Sequence, residues 1–262
     1  VALISAHRCG AGDQAAFDNT LTGIRRAVDG PAEYVEFDVQ RCADGALVLA
    51  HDAAVLRAGR PVAISALTRA ELTAVAGEVC AYEDALVALA GHKAAHIDLK
   101  FSSPADDSAT PDRTAEVGAA QLAREILGEQ FIITSLEDRS VRAVRDWADA
   151  AGVGIAVGLS LGRGLGQIPW AAWPGLRLSE LAPARRVAAS RANLIAAHHR
   201  LARVSLARYG ARRALPLLVW TVDEPRDLRA WLSDPRVWML VTNRPVLAAE
   251  IRDELAAGVT VG

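Results

Sequence analysis

The 262-residue chain is 52% apolar and 23% charged, the composition of an ordinary folded globular protein with enough length to bury a large core. Its formal net charge is −2 and no run of like charges stands out, so nothing marks a nucleic-acid footprint or a membrane-surface patch, and a small-molecule partner is expected. The longest apolar runs have the length of strands, which excludes a transmembrane segment.

The N-terminal "VALISAHRCG" lacks the basic start and long apolar centre of a signal peptide, and it reads as a first strand. A helix is expected over 19–28 and a second strand in "YVEFDVQ", followed by an Asp-Gly turn and a return strand. Helices over 68–76 and 82–90 precede a third strand, "AHIDLK", and a helix over 114–127 leads to "FIITSL". "SLEDRSVRAVRDWADAAG" has apolar positions at helical spacing and a closing glycine, giving a helix over 140–151. The strands "GIAVGL", "ANLIAA", "LPLLVWTV" and "VWMLVT" follow, with helices over 201–209, 226–232 and 246–257.

Eight strands alternating with helices predict an α/β fold, a TIM (β/α)8 barrel, with a β-hairpin extension after the second strand. No linker or low-complexity block interrupts it, so residues 1–262 are expected to form a single domain. Two connections exceed the usual few residues, "FSSPADDSATPDR" after the third strand and "SLGRGLGQIPWAAWPGLRLSE" after the fifth. Both follow strand C-termini, where barrel active sites are built. Three cysteines, Cys9, Cys42 and Cys80, suit neither a disulfide framework nor a zinc motif and favour a reducing, cytoplasmic setting. A chain starting at valine leaves secretion of a trimmed form open.

Strand alternation puts Glu36 and Asp38 on the face of the second strand opposite to Val35, Phe37 and Val39, hence inside a barrel. With Asp44 and Gly45 as a two-residue turn, residue i would lie opposite residue 89 minus i, which sets Asp38 against His51. In the third strand, His96, Asp98 and Lys100 share the inward face, and His7 and Arg8 end the first strand at the same rim. Three crowded carboxylates repel one another unless a cation joins them, and an all-oxygen set suits Mg²⁺ or Ca²⁺. An anionic substrate would complement the metal, Arg8 and Lys100, with His7 and His51 available as base and acid, which points to phosphoester chemistry.

In order and spacing, "AHRCG", "DNTL", "VEFDVQRCADGALVLAHD", "IDLK", "VWTVDEP" and "LVTNRP" resemble the glycerophosphodiester phosphodiesterases, from about residue 4 to residue 248. The resemblance implies a metal-dependent TIM-barrel hydrolase that yields an alcohol and glycerol 3-phosphate. It implies Glu36, Asp38 and Asp98 as metal ligands, His7 and His51 as the acid and base pair, Arg8 and Lys100 on the phosphate, and Trp220 beside the glycerol. Family members usually carry glycine at Cys9 and glutamate at Asp18 and Asp98. Asp98 and "TNRP" are also similar to sphingomyelinase D-like phospholipases, related barrels that release a cyclic phosphate. A third reading is a catalytically silent barrel that binds a phosphorylated ligand. The alcohol headgroup and the oligomeric state are left open.

Overall fold

Among the described residues there are eleven short strands, nine of them in one sheet whose side chains alternate between two apolar layers. In chain order they are β1 (Leu3–Ala6), β2 (Tyr34–Arg41), β3 (Leu47–Leu49), β4 (Ala54–Arg57), β5 (Arg60–Ala63), β6 (Ala94–Leu99), β7 (Phe131–Ser135), β8 (Ala156–Leu161), β9 (Leu194–His198), β10 (Leu217–Trp220) and β11 (Val237–Thr242). The computed structural model describes residues 2–10, 12, 14–101, 113–166 and 168–259, so nearly all of the first long connection lies outside the described residues. Eight strands pair in parallel in the circular order β1, β2, β6, β7, β8, β9, β10, β11, and the β1–β2 pairing closes the TIM barrel. β4 and β5 form a separate small hairpin.

Period-two alternation sorts the apolar side chains. Ile4, Val35, Phe37, Ile97, Ile133, Val157 and Val219 belong to the large core shared with the helices. Ile132, Leu194, Ala196, Leu218, Met239 and Val241 form a second cluster on the other strand face, inside the barrel. The helix Leu21–Val28 starts two residues later than expected, because the Thr20 hydroxyl accepts from Gly23 N at 3.0 Å as its N-cap, while Asn19 adopts a left-handed φ of 54° outside it. The helix Asp138–Ala151 ends at Gly152 with φ 66°, the left-handed cap that glycine supplies without strain. Among the described residues no helix is long and apolar enough to cross a membrane.

Two expectations need correction. The β2–β3 register is Val39 to Leu49, Gln40 to Val48 and Arg41 to Leu47, and Ala50 N donates to Asp38 O, so Ala50 rather than His51 stands opposite Asp38. The turn has three residues, not two: Cys42 N donates to Ala46 O at 2.8 Å, and Gly45 at φ 84° supplies the extra left-handed residue that shifts the register by one. Asp44 also accepts from Arg69 N, tying the turn to the helix Arg69–Ala76. Secondly, the long connection after β8 is helical over Trp173–Leu181. Pro174 fits a first turn, where its missing N–H costs nothing, and the buried Glu180 carboxylate accepts from Gly162 N at 2.9 Å and Arg163 N at 2.8 Å. The tryptophan, glycine and proline signals of this stretch conceal that anchoring contact.

Phe37 is fully buried on the outer face of β2, its ring 6.2 Å from that of Tyr82. Phe37→Ala is expected to cost about 3–5 kcal/mol of stability, read from urea unfolding.

Candidate active site

Register sets the centre of the site. β2 and β6 align Asp38 with Asp98 and Glu36 with His96, so the carboxylates of neighbouring parallel strands rise from the same face of the sheet near its C-terminal edge. Glu36, Asp38 and Asp98 are buried, and an oxygen of each lies within 4.8 Å of the other two. Burial, then the charges of Asp38 and Asp98, raise the Glu36 pKa well above the ordinary carboxyl value. For Asp38, burial acts upward, but Lys100, the Asn19 hydrogen bond, His51 and Arg8 together hold the pKa below its usual value. Among the described residues no side-chain cation pairs with Glu36. A buried all-oxygen set with uncompensated negative charge fits a divalent cation.

Each carboxylate is clamped. The Asn19 amide grips Asp38 twice, its Nδ2 donating to Asp38 Oδ2 and its Oδ1 accepting from Asp38 N, both at 2.9 Å. Lys100 Nζ bridges Asp38 Oδ1 at 3.1 Å and Asp98 Oδ2 at 2.5 Å, and these contacts hold the Lys100 pKa up although burial opposes it. After β1, Arg8, Cys9 and Gly10 take left-handed φ values of 46°, 74° and 67°, and this turn brings Arg8 N to 2.6 Å from Glu36 Oε2. The Arg8 side chain reaches back to Asp38, with Nε 3.5 Å from Oδ2.

Asp98 rests on a relay whose polarity is determined. A carboxylate only accepts, so Thr134 Oγ1 donates to Asp98 Oδ1 at 2.7 Å and must therefore accept from His96 Nε2 at 3.1 Å. Burial, then the nearby His7, push the His96 pKa down to about 3, so its Nδ1 is bare and accepts from the Ser5 hydroxyl at 3.1 Å. His96 thus positions Asp98 through Thr134.

The same logic assigns His7. Asn243 Nδ2 donates to Asp223 Oδ2 at 2.8 Å, which orients Asn243 Oδ1 toward His7 Nδ1, also at 2.8 Å. Asn243 Oδ1 can only accept, so His7 carries its proton on Nδ1 and leaves Nε2 as a lone pair. Burial, the leading influence, lowers the His7 pKa. His51 Nδ1 lies 2.7 Å from Asp52 Oδ1, and its ring is partly exposed beyond the end of the hairpin ladder.

One cleft of about 600 Å³, open solvent included, is lined by all eight residues singled out from the sequence: His7, Arg8, Glu36, Asp38, His51, Asp98, Lys100 and Trp220. His51 lines it despite the shifted register, from the bend that begins just past the end of the ladder. His198 does not line the cleft; it stacks edge-on against Trp220 at 5.3 Å. Burial pushes the Cys9 thiol far up, which leaves it a poor nucleophile. Sequence reasoning assigned no role to Ser5, Thr134, Asp223 or Asn243; only the motifs "VWTVDEP" and "LVTNRP" hinted at the last two.

A closed barrel with three buried carboxylates, two histidines and two cations at the C-terminal ends of its strands defines a phosphoester-processing enzyme of the metal-assisted kind. Residues 7–247 match the model of the glycerophosphoryl diester phosphodiesterase family. The chain belongs to this family and is a glycerophosphodiester phosphodiesterase. Its fold is similar to that of a glycerophosphodiester phosphodiesterase from Thermotoga maritima, at 20% identity and TM-score 0.65 over 96% of this chain and 99% of that one. It is also similar to one from Parabacteroides distasonis, at 18% identity and TM-score 0.72 over 97% and 98%. A phosphodiesterase from Oleispira antarctica, solved with the product sn-glycerol-3-phosphate, aligns at 17% identity and TM-score 0.63 over 96% of each chain. A search of curated proteins finds no match.

Thr134→Val keeps the shape but leaves Asp98 Oδ1 and His96 Nε2 without their shared partner. It is expected to destabilise the fold by about 1–3 kcal/mol in chemical denaturation.

Proposed function

We propose that the enzyme cleaves glycerophosphodiesters to an alcohol and glycerol 3-phosphate, with Glu36, Asp38 and Asp98 holding Mg²⁺ or Ca²⁺ and with His7 and His51 as base and acid. The observation that carries the role of His7 is its Nδ1 contact with Asn243 Oδ1 at 2.8 Å, with Asn243 Nδ2 turned to Asp223, from which the Nδ1–H tautomer follows. Its bare Nε2 suits it to take the proton of the attacking hydroxyl, from the substrate's own glycerol or from water. His51, partly exposed and steadied by Asp52, would return a proton to the leaving alcohol. Held by the three carboxylates, a divalent cation would supply charge to offset that of the phosphoryl oxygens. Arg8 and Lys100 would hold the phosphate, and Trp220 would offer its face to the glycerol carbons. The sn-glycerol-3-phosphate bound by the Oleispira antarctica enzyme is the product this reading assigns here.

The test is ³¹P NMR of the metal-stripped enzyme with glycerophosphocholine, glycerophosphoethanolamine or a lysophospholipid, before and after adding Mg²⁺ or Ca²⁺. Glycerol 3-phosphate that forms only with metal is the expected result. A cyclic phosphate that persists would move the enzyme to the sphingomyelinase D-like reaction, and binding without turnover would make it a silent ligand-binding barrel. His7→Ala and His51→Ala should fold normally yet lose about 10²–10⁴-fold in kcat, and full turnover in both would refute their roles. Asn243→Leu frees the His7 tautomer, so it should lower kcat with little change in KM; an unchanged kcat would sink the tautomer argument.

A further inference from the structure

Between residues 162 and 213 the chain carries ten arginines and a single acidic residue, Glu180. Glu180 is fully buried and paired with Arg177, so this quarter of the barrel presents no exposed carboxylate of its own. The same stretch contains four of the exposed large apolar side chains: Trp170 at 79%, Leu178 at 68%, Val204 at 68% and Trp173 at 40%. Residues 164–176 include no charged side chain at all.

The exposed apolar side chains meet Arg185, Arg200 and Arg203 at the barrel mouth, whereas Arg191, Arg212 and Arg213 precede β9 and β10 at its opposite end. Trp170 and Trp173 lie on the connection leaving the C-terminal end of β8, and Trp173 Nε1 donates to Ile168 O at 3.0 Å, which holds the bend. Val204 lies on the helical stretch that leaves β9, beside Ser205, whose hydroxyl donates to Leu181 O at the end of the helix bearing Leu178. Arg200 N lies 3.3 Å from His198 Nδ1, and His198 packs on Trp220 in the wall of the cleft. Arg203 reaches Asp227, while Arg186 donates to Leu136 O just past β7, which places Arg185 at the same rim. Among the described residues Arg185 and Arg200 are exposed and make no ion pair.

We propose that this side of the mouth docks on an anionic lipid surface, with Trp170, Trp173, Leu178 and Val204 entering the interface and Arg185, Arg200 and Arg203 against the headgroups. Protruding tryptophan and leucine set among arginines, with no exposed acid on the same stretch, match the chemistry of such a surface in both its apolar and its charged layer. Docking there sets the cleft beside the membrane without closing it, since β1, β2 and β6 carry the reacting groups on the other side of Trp220.

Co-sedimentation with phosphatidylcholine vesicles, with and without phosphatidylglycerol, tests this at low and high salt, together with tryptophan emission. The expected result is binding to the anionic vesicles with a blue shift, weakened by salt and about tenfold weaker on phosphatidylcholine alone. Trp170→Ser with Leu178→Ser, and separately Arg200→Glu, should each weaken binding about tenfold while the thermal midpoint stays unchanged. Absence of binding at low salt, equal partition onto both vesicles, or variants that bind like the parent would overturn the proposal. So would a dimer in sedimentation velocity that Trp170→Ser dissociates, because a second copy would then be what covers the patch.

Discussion

Mutual repulsion among three buried carboxylates is the constraint around which this barrel is organised. Glu36, Asp38 and Asp98 are drawn together by strand pairing, and removing them from water makes their negative charge expensive unless each oxygen finds a donor or a cation. Almost every polar group nearby answers that need. Asn19 serves Asp38, the Arg8 backbone serves Glu36, Thr134 serves Asp98, and Lys100 bridges two of the three. What these leave uncompensated, chiefly at Glu36, is the charge a divalent cation would meet.

Holding that arrangement requires features that look costly in isolation. Asn19, Arg8 and Cys9 take left-handed backbone conformations, which side chains other than glycine adopt only when their surroundings enforce them. All three lie in the connection after β1 and press the chain against the carboxylates. Gly10 completes the turn, since a Cβ there would come within 2.8 Å of Pro245 Cγ and 2.9 Å of Ala6 Cβ. The strain is stored where the chain end of β1 must approach β2, at the seam that closes the barrel.

Hydrogen bonds with only one permitted direction extend this order outward. Because carboxylates accept and never donate, Asp98 dictates the proton positions of Thr134, His96 and Ser5, and Asp223 dictates those of Asn243 and His7. The two relays arise from opposite sides of the barrel seam, one through β6, β7 and β1 and the other through β10, β11 and β1. They leave the imidazole of His7 with one bare nitrogen in a cleft that also contains Lys100 and Arg8.

Much of this was legible in the chain itself, because strand alternation has a period of two wherever it occurs. "YVEFDVQ" and "AHIDLK" alone place carboxylates on one face and apolar residues on the other, and eight such segments predict the barrel and its mouth. Contacts between distant segments carry no such period. The three-residue turn that set Ala50 rather than His51 opposite Asp38 uses a left-handed Gly45 and is tied to a distant helix through Asp44, which accepts from Arg69 N. Asn243 meets His7 across 236 positions and is itself held by Asp223, and Arg185, Arg200 and Arg203, which stand apart in the sequence, come to one rim only because successive helical segments start there. The sequence by itself determined which residues face inward, since that is a local property of the backbone; the tertiary structure decided which of them touch, because contact depends on loop closure and register that no single segment encodes.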